Sequence, residues 1–150
     1  MLNTDPWTIT EKEYPHDRSW VDRLTFLVRY AMLAPSSHNT QPWSFRIRDN
    51  AVDVFMDEAR WLKIADDDQR ELHISIGCAL ENLLVATEHF KLANQVEYLP
   101  DPIQPMLAAT IRFRTSGLEF RQRPPCLFSM IVVRHTNHGE YESRPIPDDI

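Results

Sequence analysis

Six consecutive polar side chains lie between two prolines in the first third of the chain. They are residues 36–41, Ser-Ser-His-Asn-Thr-Gln, after Pro35 and before Pro42. Pro35 cannot continue a helix, and Pro42 disfavours helical geometry at the residue before it, so the backbone between them is stiff. Hydroxyl, amide and imidazole groups on a stiff loop could bind a planar ligand with many donors and acceptors. The alternative is a simple turn, because Ser, Asn and Thr also bond their own backbone.

A second polar group follows about a hundred residues later. Residues 134–138 read Arg-His-Thr-Asn-His. The guanidinium of Arg134 offers forked donors, so the group could hold an anion such as phosphate. A surface turn with incidental charges is the alternative. His135 and His138 as metal ligands are a weaker interpretation, because no third ligand stands at a recognisable spacing.

Composition excludes several function classes. The chain has 150 residues, of which 43% are hydrophobic and 25% charged, which suits one domain with one core. A net charge of −6 disfavours nucleic acid and anionic membranes as partners. No apolar run approaches the ~20 residues of a spanning helix, and no signal peptide is recognisable, so we expect a cytoplasmic protein. Cys78 and Cys126 form no paired motif, and the three glycines form no phosphate-binding loop.

Two helices are predicted from apolar spacing. The first begins with a capping-box pattern at Ser19 and Asp22 and runs towards Pro35, so it positions the polar loop that follows. The second covers 66–91, with three aspartates at its start and a capping-box pattern at Asp68. It is apolar on two sides, which predicts packing against its own sheet and against a partner. Gly77 lies in the middle of this helix, which we interpret as a sign that another helix or a ligand comes close to the backbone there.

The remaining elements are predicted as strands and loops. Residues 1–18 form an irregular arm that could clasp another surface. A hairpin starts at Trp43, turns at Asp49 and Asn50, and returns through Met56. Arg46 and Arg48 in its first strand could bind phosphate, but a solvated strand face explains the alternation better. Further strands are predicted at 96–99, 109–114 and 128–133, the last as a strand covered on both faces because it is continuously apolar.

The loop resembles a known family signature. The A-P-S-S-x-N-x-Q-P-W pattern of the FMN-binding nitroreductases is present at its eight specified positions, within residues 34–43. Residues 134–138 are similar to the R-x-S/T-x-R motif with which that family holds the FMN phosphate. His138 replaces the second arginine, which implies weaker and more pH-dependent phosphate binding, since His is mostly neutral near pH 7. The resemblance implies the following cofactor-binding residues: Ser36, Ser37, His38, Asn39, Gln41, Arg134 and Asn137.

The same resemblance implies a fold class. It is α+β and nitroreductase-like, a mostly antiparallel sheet flanked by helices with a long central helix, which in the family lies at the subunit interface. The loop precedes the arginine motif here, an order that resembles the tandem branch, in which two halves share one flavin. We therefore expect an incomplete chain: an arm at 1–18, a half-domain at 19–134, and at 135–150 the start of a missing second half.

The resemblance also implies an activity. The leading hypothesis is an FMN-dependent oxidoreductase that takes hydride from NADH or NADPH and reduces nitroaromatic or quinone-like acceptors, with a homodimer or a second half as partner. It implies no catalytic side chain and no metal. Although the ordinary pKa of histidine is near neutral, His38 fills a variable position of the signature, so we assign it no catalytic role. The alternatives are a non-catalytic flavin-binding protein, or a half-domain without a ligand.

Overall fold

The structure is a computed structural model that describes residues 6–114, 124, 126–137, 139, 140 and 143. It is α+β, with one four-stranded antiparallel sheet and, within those residues, three α-helices. This is compatible with a nitroreductase-like fold. The predicted domain boundaries and the predicted second half are not tested and stay predictions.

Helix α1 (Trp20–Ala31) forms as its sequence predicts. The Ser19 hydroxyl accepts a hydrogen bond from the Asp22 backbone N–H at 3.2 Å and donates one to the Asp22 carboxylate at 2.7 Å. Leu24 and Leu27 on its apolar side have no exposed surface. The helix ends just before the polar loop, which it therefore positions.

The sheet has the strand order β1-β2-β4-β3, with every neighbouring pair antiparallel. Its strands are β1 (Trp43–Arg48), β2 (Ala51–Met56), β3 (Ala93–Tyr98) and β4 (Leu107–Arg114). The predicted hairpin is confirmed, with Asp49 and Asn50 as its turn. The other two strands begin two or three residues earlier than predicted. One face of the sheet packs against the helices, and the core lies between them.

Helix α2 (Arg70–His89) is shorter than the predicted 66–91, at roughly 30 Å instead of 39 Å. The Asp66 carboxylate accepts hydrogen bonds in the first turn from the backbone N–H of Glu71 at 2.8 Å and of Leu72 at 2.9 Å, and the Asp68 carboxylate accepts one from the Arg70 N–H at 3.1 Å. Asp68 therefore takes part in the helix start, but not through the predicted capping box with Glu71. At the other end Lys91 adopts a left-handed φ of 59°, and the Leu92 N–H bonds the Thr87 carbonyl at 2.9 Å. A residue in this conformation stops a helix.

The predicted strand at 128–133 is wrong, because these residues belong to a helix, α3 (Cys126–Val133). A short continuous apolar run does not distinguish a buried strand from a helix. The segment packs its Phe128 ring against Tyr30 and His89 instead of pairing with the sheet. Leu127, Met130 and Val133 are exposed.

The described part of the arm, residues 6–18, packs on its own chain. It contains two single turns of 3₁₀ helix, Pro6–Thr8 and Glu11–Glu13. Ile9 and Tyr14 are buried in the same core as the helices. None of the helices in the described ranges is long and apolar enough to cross a membrane.

Candidate functional site

The Ser36–Gln41 loop has an unusual backbone. His38, Asn39 and Gln41 have φ values of 49°, 55° and 49°, in the left-handed region that favours glycine. Such a conformation costs about 1–3 kcal/mol for a residue with a side chain, and least for Asn. Strain of this kind persists only where the surroundings hold the backbone in place.

Hydrogen bonds within the loop supply that support. The Ser36 hydroxyl accepts from the Gln41 backbone N–H at 2.9 Å, and the Gln41 amide donates to the Met32 carbonyl at 3.2 Å. The backbone N–H groups of Asn39 and Thr40 bond the carbonyls three residues earlier, at 2.9 and 3.1 Å. Ser36 and Gln41 therefore fix the shape of the loop. Their remaining groups, a hydroxyl proton and an amide oxygen, stay available to a ligand.

Three predicted residues present free polar groups. Ser37, His38 and Asn39 make no side-chain hydrogen bond to another described residue. Ser37 is half-buried, while His38 and Asn39 are exposed. A ligand on the outer side of the loop could reach these side chains.

The inner side of the loop rests on the start of α2. A pocket of only about 10 Å³ lies between them, lined by Ser37, Leu72 and Ser75 among others. That space admits about one water molecule and no ring system. The Arg60 guanidinium donates to the carbonyls of Thr40 and Gln41, both at 3.4 Å. Among the described residues, the inner side of the loop is thus too closely packed for a planar ligand, which would have to lie on the outer side.

Arg134 lies beside the entry to this loop. It follows α3, and its Nη2 donates to the Leu33 carbonyl at 3.3 Å, three residues before Ser36. Its Nη1 donates to the Thr136 hydroxyl at 3.3 Å, and its Nε is buried without a partner in the described part of the chain. The two motifs, about a hundred residues apart in sequence, therefore come together.

The other residues of the second motif are less constrained. Asn137 is exposed, and its side-chain oxygen accepts from the Gly139 N–H at 2.8 Å. His135 is also exposed. His138, which replaces the family's second arginine, lies outside the described residues. In those residues no group of three or more His, Cys, Asp or Glu side chains is placed to hold a metal ion.

The donor set fits the polar parts of an FMN molecule. Hydroxyl and amide groups of the loop can hydrogen-bond the edge of a flavin ring, and the N–H donors that remain on the Nη groups of Arg134 can bond phosphate oxygens. Arg134 forms no ion pair with a carboxylate in the described part of the chain, so its positive charge can attract an anion.

The strand that leaves the loop is held by a buried carboxylate. Asp53 has no exposed surface, and its Oδ2 accepts from Arg46 at 2.9 Å and Arg48 at 2.6 Å, while its Oδ1 accepts from Thr110 at 2.8 Å. Burial by itself would raise the pKa of Asp53. The hydrogen bonds from Thr110 and Arg46, with the charges of both arginines, outweigh it and lower the pKa. The predicted solvated strand face is confirmed, since Arg46 and Arg48 are exposed, and both arginines also pair with Asp53.

Sequence reasoning missed this carboxylate and the supporting residues Arg60 and Asp66. A signal for Asp53 was available, because an aspartate between two valines in the predicted hairpin faces Arg46 on the neighbouring strand. Asp66 was recognised as favouring a helix start but not as the capping residue. Arg60 carries no signal, since its contact depends on tertiary structure.

No family model matches the chain, but curated relatives from Mycobacterium tuberculosis do. A protein named "Putative NAD(P)H nitroreductase Rv3131" is 34% identical over 117 residues, which are 78% of this chain and 33% of the relative. "Putative NAD(P)H nitroreductase acg" is 35% identical over 92 residues, 61% of this chain and 28% of the relative. "Uncharacterized protein Rv3127" is 31% identical over 90 residues, which are 57% of this chain and 26% of the relative.

The chain spans about a third of the length of the curated relatives it matches. Two of the three relatives carry the name of a nitroreductase. Their similarity, over the larger part of this chain, supports its relationship to the nitroreductase family.

Proposed function

We propose that this chain binds FMN between the Ser36–Gln41 loop and Arg134, as part of an NAD(P)H oxidoreductase of the nitroreductase type. The observation that carries the proposal is the hydrogen bond from Arg134 to the Leu33 carbonyl, because it joins the two motifs into one surface. Neither motif alone offers both ring and phosphate donors.

The residues divide into two roles. Ser36, Ser37, Asn39 and Gln41 would hydrogen-bond the polar edge of the flavin ring, with exposed His38 beside them. Arg134 would bond the phosphate through the remaining N–H donors of its forked Nη groups, and Asn137 would add a side-chain amide. A loop that is already rigid loses little conformational entropy on binding, which favours affinity.

The protein's contribution to the reaction is position and electrostatics. The chemistry that FMN supplies when bound is hydride transfer from NADH or NADPH to an acceptor such as a nitroaromatic or quinone-like compound. The loop would fix the orientation of the ring, and the positive charge of Arg134 would hold the phosphate at one end. We assign no side chain as a general acid or base.

Titration of the purified full-length chain with FMN, followed by flavin fluorescence, tests the binding. We expect saturable binding that Arg134→Gln weakens and that Arg112→Gln leaves unchanged. Arg112 is the matched control because it is an exposed arginine on β4, on a face of the sheet that bears no loop residue. Equal losses in both variants would contradict the proposed phosphate site.

A second candidate is flavin binding without turnover. The exposure of His38 and Asn39 favours it, because a ring bound on this side has no cover from the described residues. Oxidation of NADH or NADPH by the FMN-loaded chain, with a nitroaromatic acceptor present, separates the two candidates. Steady turnover would establish the reductase, and bound FMN without turnover would establish the second candidate.

We also infer that a second nitroreductase-like half, in another copy or another polypeptide, covers the outer side of α2. Ile74 there is 52% exposed, and a Cβ added to Gly77 would meet no atom within 4 Å. Val85, eleven residues after Ile74 and therefore on the same side of the helix, is instead buried within the chain. Light scattering of the full chain measures its mass in solution, and Ile74→Glu should lower that mass if α2 pairs with a second copy.

A further inference from the structure

A second concave site lies at the opposite end of α2 from the Ser36–Gln41 loop. It is a cleft of about 760 Å³ between residues 10–16 of the arm and residues 89–91. The loop instead contacts the start of α2 near Leu72. Since a helix rises 1.5 Å per residue, the stretch from Leu72 to Phe90 measures roughly 27 Å. The cleft is therefore separate from the candidate flavin site.

The free charges of the cleft are positive. Lys12 and Lys91 line it, are exposed, and form no ion pair within the described part of the chain. The one carboxylate, Glu11, already accepts a hydrogen bond from His89 Nε2 at 2.8 Å. His16 is a second imidazole in the wall. An anion is thus favoured over a cation.

Rigid aromatic rings form the rest of the wall. Phe90 lines the cleft and stacks on Tyr14, with ring centroids 4.0 Å apart and planes at 20°. The His89 ring stacks on Phe128 at 3.7 Å and 7°. Because these side chains are held by their neighbours, they lose little freedom when a ligand binds. They offer a flat apolar molecule a preformed contact.

The end of a helix is ordinarily unfavourable for an anion, since its free carbonyls carry partial negative charge. Here the last carbonyls of α2 are bonded. Those of Ala86, Thr87 and Glu88 accept from the backbone N–H groups of the three residues that follow the helix, at 2.9–3.2 Å. Lys91 adds a positive charge at the same place. The helix end therefore does not repel an anion from the cleft.

We propose that this cleft binds a small aromatic carboxylate. The carboxylate lies between the ammonium groups of Lys12 and Lys91, and the ring lies against Phe90 and the imidazoles. The volume is within the roughly 300–1,000 Å³ of small-molecule sites. Because the cleft is open, affinity is modest, with a Kd of roughly 1–10 mM for a ligand of about ten heavy atoms.

Salicylate, added to the full-length chain without FMN, is the probe. The Cε1–H proton resonances of the six histidines are resolved by NMR and followed during the titration. We expect saturable shifts of His16 and His89, with little change in the other histidines. Absence of a saturable shift of His16 and His89 up to ~50 mM salicylate, well above the expected Kd, would overturn the proposal.

Matched variants assign the two parts of the site. Lys91→Gln should weaken salicylate binding roughly two- to fivefold, as expected for an exposed charge pair. Lys63→Gln should leave it unchanged, since Lys63 is an exposed lysine that lies 5.3 Å from the Trp61 ring and outside the cleft. Equal losses in both variants, or none in Lys91→Gln, would overturn the assigned role of Lys91.

Cyclohexanecarboxylate tests the ring contact, because it has the same charge and a similar size but no aromatic face. We expect it to bind more weakly than benzoate. Equal affinity of the two would overturn the aromatic part of the proposal. FMN binding at the loop is measured independently, so failure here and failure of the proposed flavin site are distinguishable.

Discussion

The two motifs of the candidate site differ in how the chain holds them. The Ser36–Gln41 loop has three left-handed residues and is fixed by its own backbone and side-chain hydrogen bonds. The segment 134–137 is held by two Arg134 hydrogen bonds of 3.3 Å, while the Arg134 Nε is buried and unpaired among the described residues. Ser36 and Gln41 of the first motif support the shape of their own loop, whereas the Arg134 side chain of the second motif makes only long hydrogen bonds to described residues.

This difference predicts different effects of mutation. Changes at Ser36 should lower folding stability as well as ligand affinity, because its hydroxyl supports a strained backbone. Changes at Arg134 should act mainly on ligand affinity, because its present hydrogen bonds are long and its charge is unpaired.

The largest effect should be that of Arg134→Gln on FMN affinity. A hydrogen bond to a charged group contributes about 1.5–3 kcal/mol, so we expect a loss of roughly ten- to a hundredfold. The free energy of unfolding should change by less than about 1 kcal/mol. Fluorescence titration and urea unfolding measure the two quantities. A large loss of stability with unchanged FMN affinity would reverse the assigned roles.

Ser36→Ala should lower folding stability more than Arg134→Gln does. It leaves the half-buried N–H of Gln41 without its acceptor, which should lower the free energy of unfolding by about 1–3 kcal/mol. Ser44→Ala, at an exposed position on β1, is the control and should change it by less than about 0.5 kcal/mol. Urea unfolding of both variants gives the comparison, and similar values for the two would show that the loop is not held by Ser36.

Two substitutions of His38 test the backbone strain. A β-branched residue is poorly tolerated at its φ of 49°, so His38→Val should lower the free energy of unfolding by about 1–2 kcal/mol. Glycine adopts this conformation without strain, so His38→Gly should raise it by up to about 1 kcal/mol. If thermal or urea unfolding gives the reverse order, the left-handed geometry is wrong.

The smallest expected effect is that of low pH on β1, the strand that follows the Ser36–Gln41 loop. The lowered pKa of Asp53 contributes stability above the ordinary carboxyl pKa of about 3.9, and this is lost as the pH falls through the lowered value. The protection factors of the β1 amides, which correct for the intrinsic slowing of exchange in acid, should therefore fall more at low pH than those of the α3 amides. Asp53→Asn should remove this pH dependence. If β1 and α3 respond to acid alike in both proteins, Asp53 does not hold the strand.

Most of the fold could be predicted from local patterns. The capping box at Ser19 and the turn at Asp49 and Asn50 are local signals, and each gave the right element. The segment 126–133 failed because its continuous apolar run has no period, and only its packing against Tyr30 makes it a helix. The start of α2 was predicted four residues too early, because Asp66 and Asp68 lie before the helix and accept hydrogen bonds from its first N–H groups.

The site was predictable in composition but not in geometry. Its residues came from motifs that resemble a known family, and whether they bind a cofactor stays a prediction. The motifs could not show that Ser36 and Gln41 bond each other across the loop, or that Arg134 bonds the Leu33 carbonyl. Contacts between residues 101 positions apart depend on the whole fold.

The central claim is that one ligand contacts both motifs, and amide chemical-shift mapping of the full-length chain tests it most directly. Titration with FMN should shift the backbone amides of 36–41 and of 134–137 along curves with one common Kd. Riboflavin, which lacks the phosphate, should bind more weakly and leave 134–137 nearly unshifted. Shifts at only one of the two motifs with FMN, or equal binding of riboflavin and FMN, would contradict the account.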